Sequence, residues 1–202
     1  MVALRWKGAT IRKSRGTKSQ GSSRGQRRNY RFLMMNERCE EGCGFEWDAV
    51  DPDEIGPRIT GRAADIAHLI AGNPSPDVRT SPGVWSPLEY AGHVRDVLFN
   101  LRDRLVVAIN EDNPLCKGLF GTPRIDLGLY QGDAPALVAQ ELTTAAALFA
   151  RTWDRIPTIL RTRTMVYGYP RLADRSLAWV AAQALHEVEH HLADVKAGLG
   201  DS

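Results

Sequence analysis

The stretch from Ser86 to about Asn110 constrains this chain more than any other. Ser86 is followed by Pro87 and then, three residues after the serine, by Glu89. That order starts a helix: a hydroxyl for the first free amide, a ring where no N–H is needed, and a carboxylate that closes the capping box. Beyond it Tyr90, Ala91, Val94, Val97, Leu98, Leu101, Leu105, Ala108 and Ile109 recur at three- and four-residue spacing. At ~100° per residue they form one broad stripe, while Arg95, Asp96, Arg102 and Asp103 point away.

The same period returns three more times. Ile59, Ala63, Ile66 and Ile70 predict a helix over about residues 57–71, stopped by Gly72 and Asn73-Pro74. A third helix is expected from Asp133 as cap to Pro157, and a fourth from Asp174 as cap to Gly198 as stop. Between the last two, RTRTMVYGYPRLA alternates polar and apolar residues and reads as a short extended or hairpin excursion. Residues 111–132 are broken by Pro114, Pro123 and several glycines, a long irregular connection of the kind that lines a site. The fold class is therefore all-α: a four-helix bundle with a long connection between helices two and three.

At 202 residues one domain with a full core is the default. Three regions are expected: a disordered basic extension over residues 1–34, a cysteine-containing lead-in over 35–52, and the bundle over 53–198. Residues 1–31 hold ten of the 26 basic residues and no acid, so from Phe32 onward sixteen bases face 24 acids. An acidic body does not neutralise phosphates, which leaves nucleic-acid binding to the basic tail at most. No apolar run approaches the ~20 residues of a membrane span, no secretory signal is legible, and Cys39, Cys43 and Cys116 are too few for a disulfide framework. These features imply a cytoplasmic protein. Cys39 and Cys43 are separated by three residues rather than two, with no second Cys or His pair nearby in sequence, so they are assigned no zinc. Cys116 reads as a small buried apolar residue, His68 takes no role, and Trp85 reads as a core anchor at the entrance of helix two.

Four of the five histidines lie in two places, His93 on helix two and His186, His190 and His191 in HEVEHHLAD on the last helix. The last helix offers two pairs at one-turn spacing, His186 with His190 and Glu187 with His191. Either could hold a divalent metal, because residues four apart share a face and imidazole and carboxylate are suitable donors. Leu177, Val180, Ala181, Ala184, Leu185, Val188, Leu192 and Val195 draw the apolar face of that helix. Glu187 and His191 fall at its margin, as His93 does on helix two, and His186 and His190 fall nearer the far side. Periodicity thus favours Glu187 and His191, with Asp194 one turn on to orient His191, and keeps His186 and His190 as the alternative.

Trp85 with His93 eight residues later, then Asp96, followed by a late-helix pair four apart and a polar residue three beyond, resembles the DinB-like (YfiT-like) metalloenzyme family. That family includes the bacillithiol transferases and the mycothiol-dependent maleylpyruvate isomerases, and the resemblance covers about residues 53–197. It implies His93, Glu187 and His191 as metal ligands with Asp194 at the polar position. Most members use three histidines, and a Glu at the first position of the pair is the pattern of the mycothiol-dependent isomerases. The resemblance further implies a divalent metal, zinc first, with nickel, iron or manganese compatible, and a low-molecular-weight thiol as cosubstrate. The expected activity is transfer or addition of that thiol to a small electrophile, with Arg104 and Arg171 as anchors for an acidic substrate. The alternatives are a non-catalytic binding or dimerising module and metal-assisted hydrolysis; on any of these readings the bundle can pair as a homodimer through an exposed apolar helix face.

Overall fold

The computed structural model describes residues 37–200. The predicted basic extension over 1–34 lies outside the described residues. Four long helices form the bundle: α1 (Ile55–Gly72), α2 (Pro87–Asn110), α4 (Pro135–Arg155) and α5 (Leu177–Leu199). A six-residue helix, α3 (Gly121–Asp126), interrupts the long connection, so the described residues hold five helices where four were expected. A two-stranded antiparallel hairpin, β1 (Thr164–Tyr167) with β2 (Ala173–Ser176), fills the predicted excursion. Among these residues no helix is long and apolar enough to cross a membrane.

α1 and α2 each pack against α4 and α5 and touch one another little, so they occupy opposite corners of the bundle. The stripe read from α2 is the buried one: Ala91, Val94, Leu98, Leu101, Leu105 and Ala108 face the core. They meet Trp153 and Phe149 of α4, Ile59, Ile66 and Ile70 of α1, and Leu177 and Leu185 of α5. The start of α2 is as predicted, since Ser86 Oγ accepts from the Glu89 amide at 3.2 Å and Glu89 Oε2 accepts from the Ser86 amide at 2.7 Å. Arg79 holds the same carboxylate through both oxygens, at 2.8 and 2.6 Å, which fixes the approach of the Pro-rich loop.

Other helix ends differ from the sequence reading. Asp133 does not cap α4: Ala134 is the N-cap without a side-chain bond, Pro135 sets the first turn, and Asp133 faces Arg95 at 3.9 Å. Asp174 does not cap α5 either. The hairpin claims it for β2, where it accepts from Asn113 Nδ2 at 3.0 Å, and Ser176 takes the capping role by accepting from the Trp179 amide at 3.1 Å. α5 also runs past Gly198 to end on Gly200 in the left-handed conformation. Gly198 serves packing, because a Cβ there would come within 2.9 Å of Pro87 Cγ, where α5 crosses the start of α2.

The lead-in is part of the core. Trp47 is buried and stacks on Trp179 at 5.4 Å, and Cys39 is buried beside it. Arg95 and Asp96, predicted to point away, are largely covered: Arg95 pairs with Glu141 of α4, and Asp96 accepts from Arg95, from Arg124 at 2.7 Å and from the Tyr130 hydroxyl at 2.9 Å. The long connection folds back over this flank of α2, which periodicity along α2 alone cannot register.

Candidate metal centre

α2 and α5 turn three predicted side chains toward one another. Glu187 Oε2 lies 3.4 Å from His93 Nε2 and 3.5 Å from His191 Nε2, and the two imidazole centroids are 5.0 Å apart at 86°. One donor atom from each residue falls within 4.8 Å of the other two. One-turn spacing on α5 puts Glu187 and His191 on one flank, and the second turn of α2 brings His93 to meet them.

Each of the three is held from behind. His191 Nδ1 meets Asp194 Oδ2 at 2.7 Å, which aims Nε2 at Glu187. Glu187 Oε1 accepts from Gln183 Nε2 at 2.7 Å, and Gln183 Oε1 in turn accepts from Trp47 Nε1 at 2.6 Å. The indole therefore fixes the amide, and the amide leaves Oε2 free for the imidazoles. His93 lies edge-on to Trp85 at 5.3 Å and against Gly121, where a Cβ would come within 3.0 Å of the ring. Trp85 is half-buried and also stacks near His191 at 6.4 Å, so it walls the site as well as anchoring the helix entrance.

Burial works against charge on Glu187, but hydrogen bonds from His191 and His93 outweigh it and hold the carboxyl well below the usual range. Burial also opposes a charged His191, yet Asp194 and Glu187 raise it to about 9. Two imidazoles, one ionised carboxylate and supports behind Glu187 and His191 make a donor set that fits a divalent ion.

A cavity of about 390 Å³ opens beside His93 and Glu187, walled by Val97, Leu101, Cys116 and Tyr167, with Lys117 at its edge. The backbone of the long connection carries Cys116 there, its amide donating to Val166 of β1 at 2.8 Å. Burial raises the Cys116 thiol, keeping it protonated. The predicted anchors lie elsewhere. Arg171 is exposed beside Glu37 at 3.5 Å, and Arg104 is near enough to lower the Cys116 thiol without lining the cavity. Lys117 is the cation in its wall.

The alternative pair, His186 and His190, does not join His93. Both face the adjacent flank of α5, toward residues 39–47, and His186 is buried there where the sequence placed it near a far side. Burial pushes His186 down to about 4. Sequence reasoning also missed Trp47, Gln183 and Gly121. Gln183 had left a signal, an amide one turn before Glu187 inside the apolar run from Val180 to Leu185.

A sequence model of the DinB superfamily matches residues 59–195, a span that includes His93, Glu187, His191 and Asp194. The chain belongs to the DinB superfamily. The match begins after the lead-in, so Cys39, Cys43 and Trp47 lie outside the part of the chain that the DinB superfamily accounts for. Among solved structures, YfiT from Bacillus subtilis is similar in fold, with a TM-score of 0.66 at 13% identity over 75% of this chain and 89% of that chain. It is described as "a probable metal-dependent hydrolase with an unusual four-helix bundle topology". No curated protein matches the chain.

Proposed function

We propose that this DinB superfamily protein is a metal-dependent enzyme in which His93, Glu187 and His191 hold a divalent ion, zinc first, and that it uses a low-molecular-weight thiol to attack a small electrophile. The observation that carries this reading is the convergence of three donors from two helices at the wall of a cavity. A divalent ion held by two neutral ligands and one anionic ligand keeps net positive charge and favours the thiolate form of a bound thiol. The chain's own residues supply the rest. Gln183 and Asp194 orient two of the donors, Val97 and Leu101 keep water from the reacting atoms, and Lys117 offers a positive charge to an acidic substrate. Cys116, protonated and buried, is part of the wall and is not the nucleophile. A Glu at the first position of the α5 pair favours a thiol of the mycothiol type.

Purified protein should consume a small electrophile only when mycothiol or bacillithiol is present. His93→Ala and His191→Ala should each lose one metal equivalent per chain and the thiol-dependent activity with it. Unchanged metal content in both variants sinks the proposal. The similarity to YfiT supports a second reading, metal-assisted hydrolysis, in which a bound water replaces the thiol. Turnover of an ester or amide without added thiol, lost in the same variants, would select it.

A further inference from the structure

The flank of α5 next to the candidate centre carries a second cluster, with the His190 ring 5.1 Å from that of His191 and its Nε2 3.8 Å from Asp194 Oδ2. We propose that Cys39, Cys43, His186 and His190 form a closed structural zinc site that fastens the lead-in to α5, independent of His93, Glu187 and His191. One donor atom from each of the four residues lies within 4.8 Å of the other three. Tetrahedral zinc, at about 2.0 Å from nitrogen and 2.3 Å from sulfur, needs donors about 3.3–3.8 Å apart, so small side-chain rotations close the set.

The loop is shaped for this. Arg38 and Glu46 pair across it in an antiparallel bridge, and the Cys39 amide donates to the Phe45 carbonyl at 2.8 Å. Gly42 and Gly44, at φ +95° and +67°, let the chain turn sharply on both sides of Cys43 and return its sulfur toward Cys39. His186 and His190 are one turn apart on α5 and meet the loop from below. In sequence the arrangement reads C-x3-C followed by H-x3-H, within the spacing of two-cysteine, two-histidine zinc sites. The second pair that the cysteines lack nearby in sequence is supplied from 147 positions further on by the fold.

A second observation points to a ligand. His186 is 2% exposed, and among the described residues neither of its ring nitrogens has a hydrogen-bond partner; the buried Nδ1 of His190 also has none there. Phe45, Trp47 and Tyr169 surround the His186 ring with centroids at 5.2, 5.0 and 6.2 Å, an aromatic collar whose Trp47 N–H is engaged by Gln183. Buried polar atoms without partners are uncommon in native proteins because each costs the desolvation of that group. An ion removes the deficit. On binding, each thiol releases its proton to solvent, and Zn2+ with two thiolates and two neutral imidazoles is uncharged, as a buried position requires. Four protein ligands leave no open position, so the site is structural.

Cobalt(II) added to the metal-free, reduced full-length chain tests this. Only a sulfur-ligated ion gives a thiolate-to-cobalt charge-transfer band, which the sulfur-free set of His93, Glu187 and His191 cannot produce. The band should reach the intensity of one sulfur-bound cobalt per chain, vanish on adding zinc, survive in His93→Ala, where it saturates at one added equivalent, and be lost in Cys43→Ala and His190→Ala. Cys43 is exposed, so its substitution spares the core, and a chelator should lower the thermal midpoint of Cys43→Ala less than that of the wild type. No band in the wild type overturns the proposal, as does a band persisting in Cys43→Ala. Loss of the band in His93→Ala would mean one shared centre and overturn it too. Loss of activity in His93→Ala with the band intact would leave this site standing whatever becomes of the catalytic reading.

Discussion

At the scale of single residues, the metal-free trio is a proton-holding device, and its pH dependence has a defined sign. His191 is raised from 6.5 to about 9, so its contribution to stability is complete below about pH 6.5 and is lost as the pH rises through 9. Glu187 is lowered from 4.5, so its contribution is present above that pH and lost as the pH falls through its depressed folded value. Both contribute fully only between about pH 4.5 and 6.5. The thermal midpoint of metal-free protein should therefore fall between pH 6.5 and 9.5, and His191→Ala should flatten that fall; equal slopes in the two proteins would contradict the assignment. Metal binding runs the opposite way, because the ion must displace the His191 proton. Apparent affinity should rise about tenfold per pH unit up to about pH 9, measured by competition with a chelator of known affinity. Gln183 gives another test at this scale. Gln183→Leu keeps the volume but leaves the Trp47 N–H and Glu187 Oε1 unpaired, and should weaken metal binding by about 10–100-fold.

At the scale of elements, the periodicity of α2 and α5 put His93, Glu187 and His191 at margins of packed faces, and in the structure these side chains meet, but the same periodicity put His186 near a far side, whereas it is buried. The irregular elements were less legible. Asp96 looked solvent-facing from α2 alone, but it gathers Arg124 and Tyr130 and so clamps the connection that carries α3 against His93. Asp133 and Asp174 looked like caps because an acid preceding an apolar run is the usual signal; in the first case Pro135 starts the helix unaided, and in the second the hairpin takes the residue. Gly121 separates site from stability at this scale. A methyl group there would press on the His93 ring at 3.0 Å, while an alanine in the half-buried first turn of α3 costs the helix nothing by propensity. Gly121→Ala should change the unfolding free energy by no more than about 1 kcal/mol and weaken metal binding at least tenfold. A variant that binds metal as the wild type does would show that α3 does not position His93.

For the whole molecule, the question is where the domain begins. Helix punctuation put the start of the bundle at residue 53, and the superfamily match begins at 59. The bundle is nevertheless incomplete without residues 37–52. Trp47 covers Trp179 and His186, and its N–H is the first link of the chain through Gln183 to Glu187. Such a segment is invisible to periodicity, since a loop that contributes one indole and two thiols to a helix face has no repeat to detect. Two substitutions distinguish packing from positioning. Trp47→Ala removes a buried indole and should cost about 3–5 kcal/mol in denaturant unfolding, weakening the metal centre along with the fold. Trp47→Phe keeps an aromatic ring against Trp179 and should cost about half as much, yet it removes the N–H that tells Gln183 which way to turn. If the lead-in positions Glu187, Trp47→Phe loses metal affinity out of proportion to its stability; if it merely covers the core, affinity in both variants tracks unfolding free energy on one line.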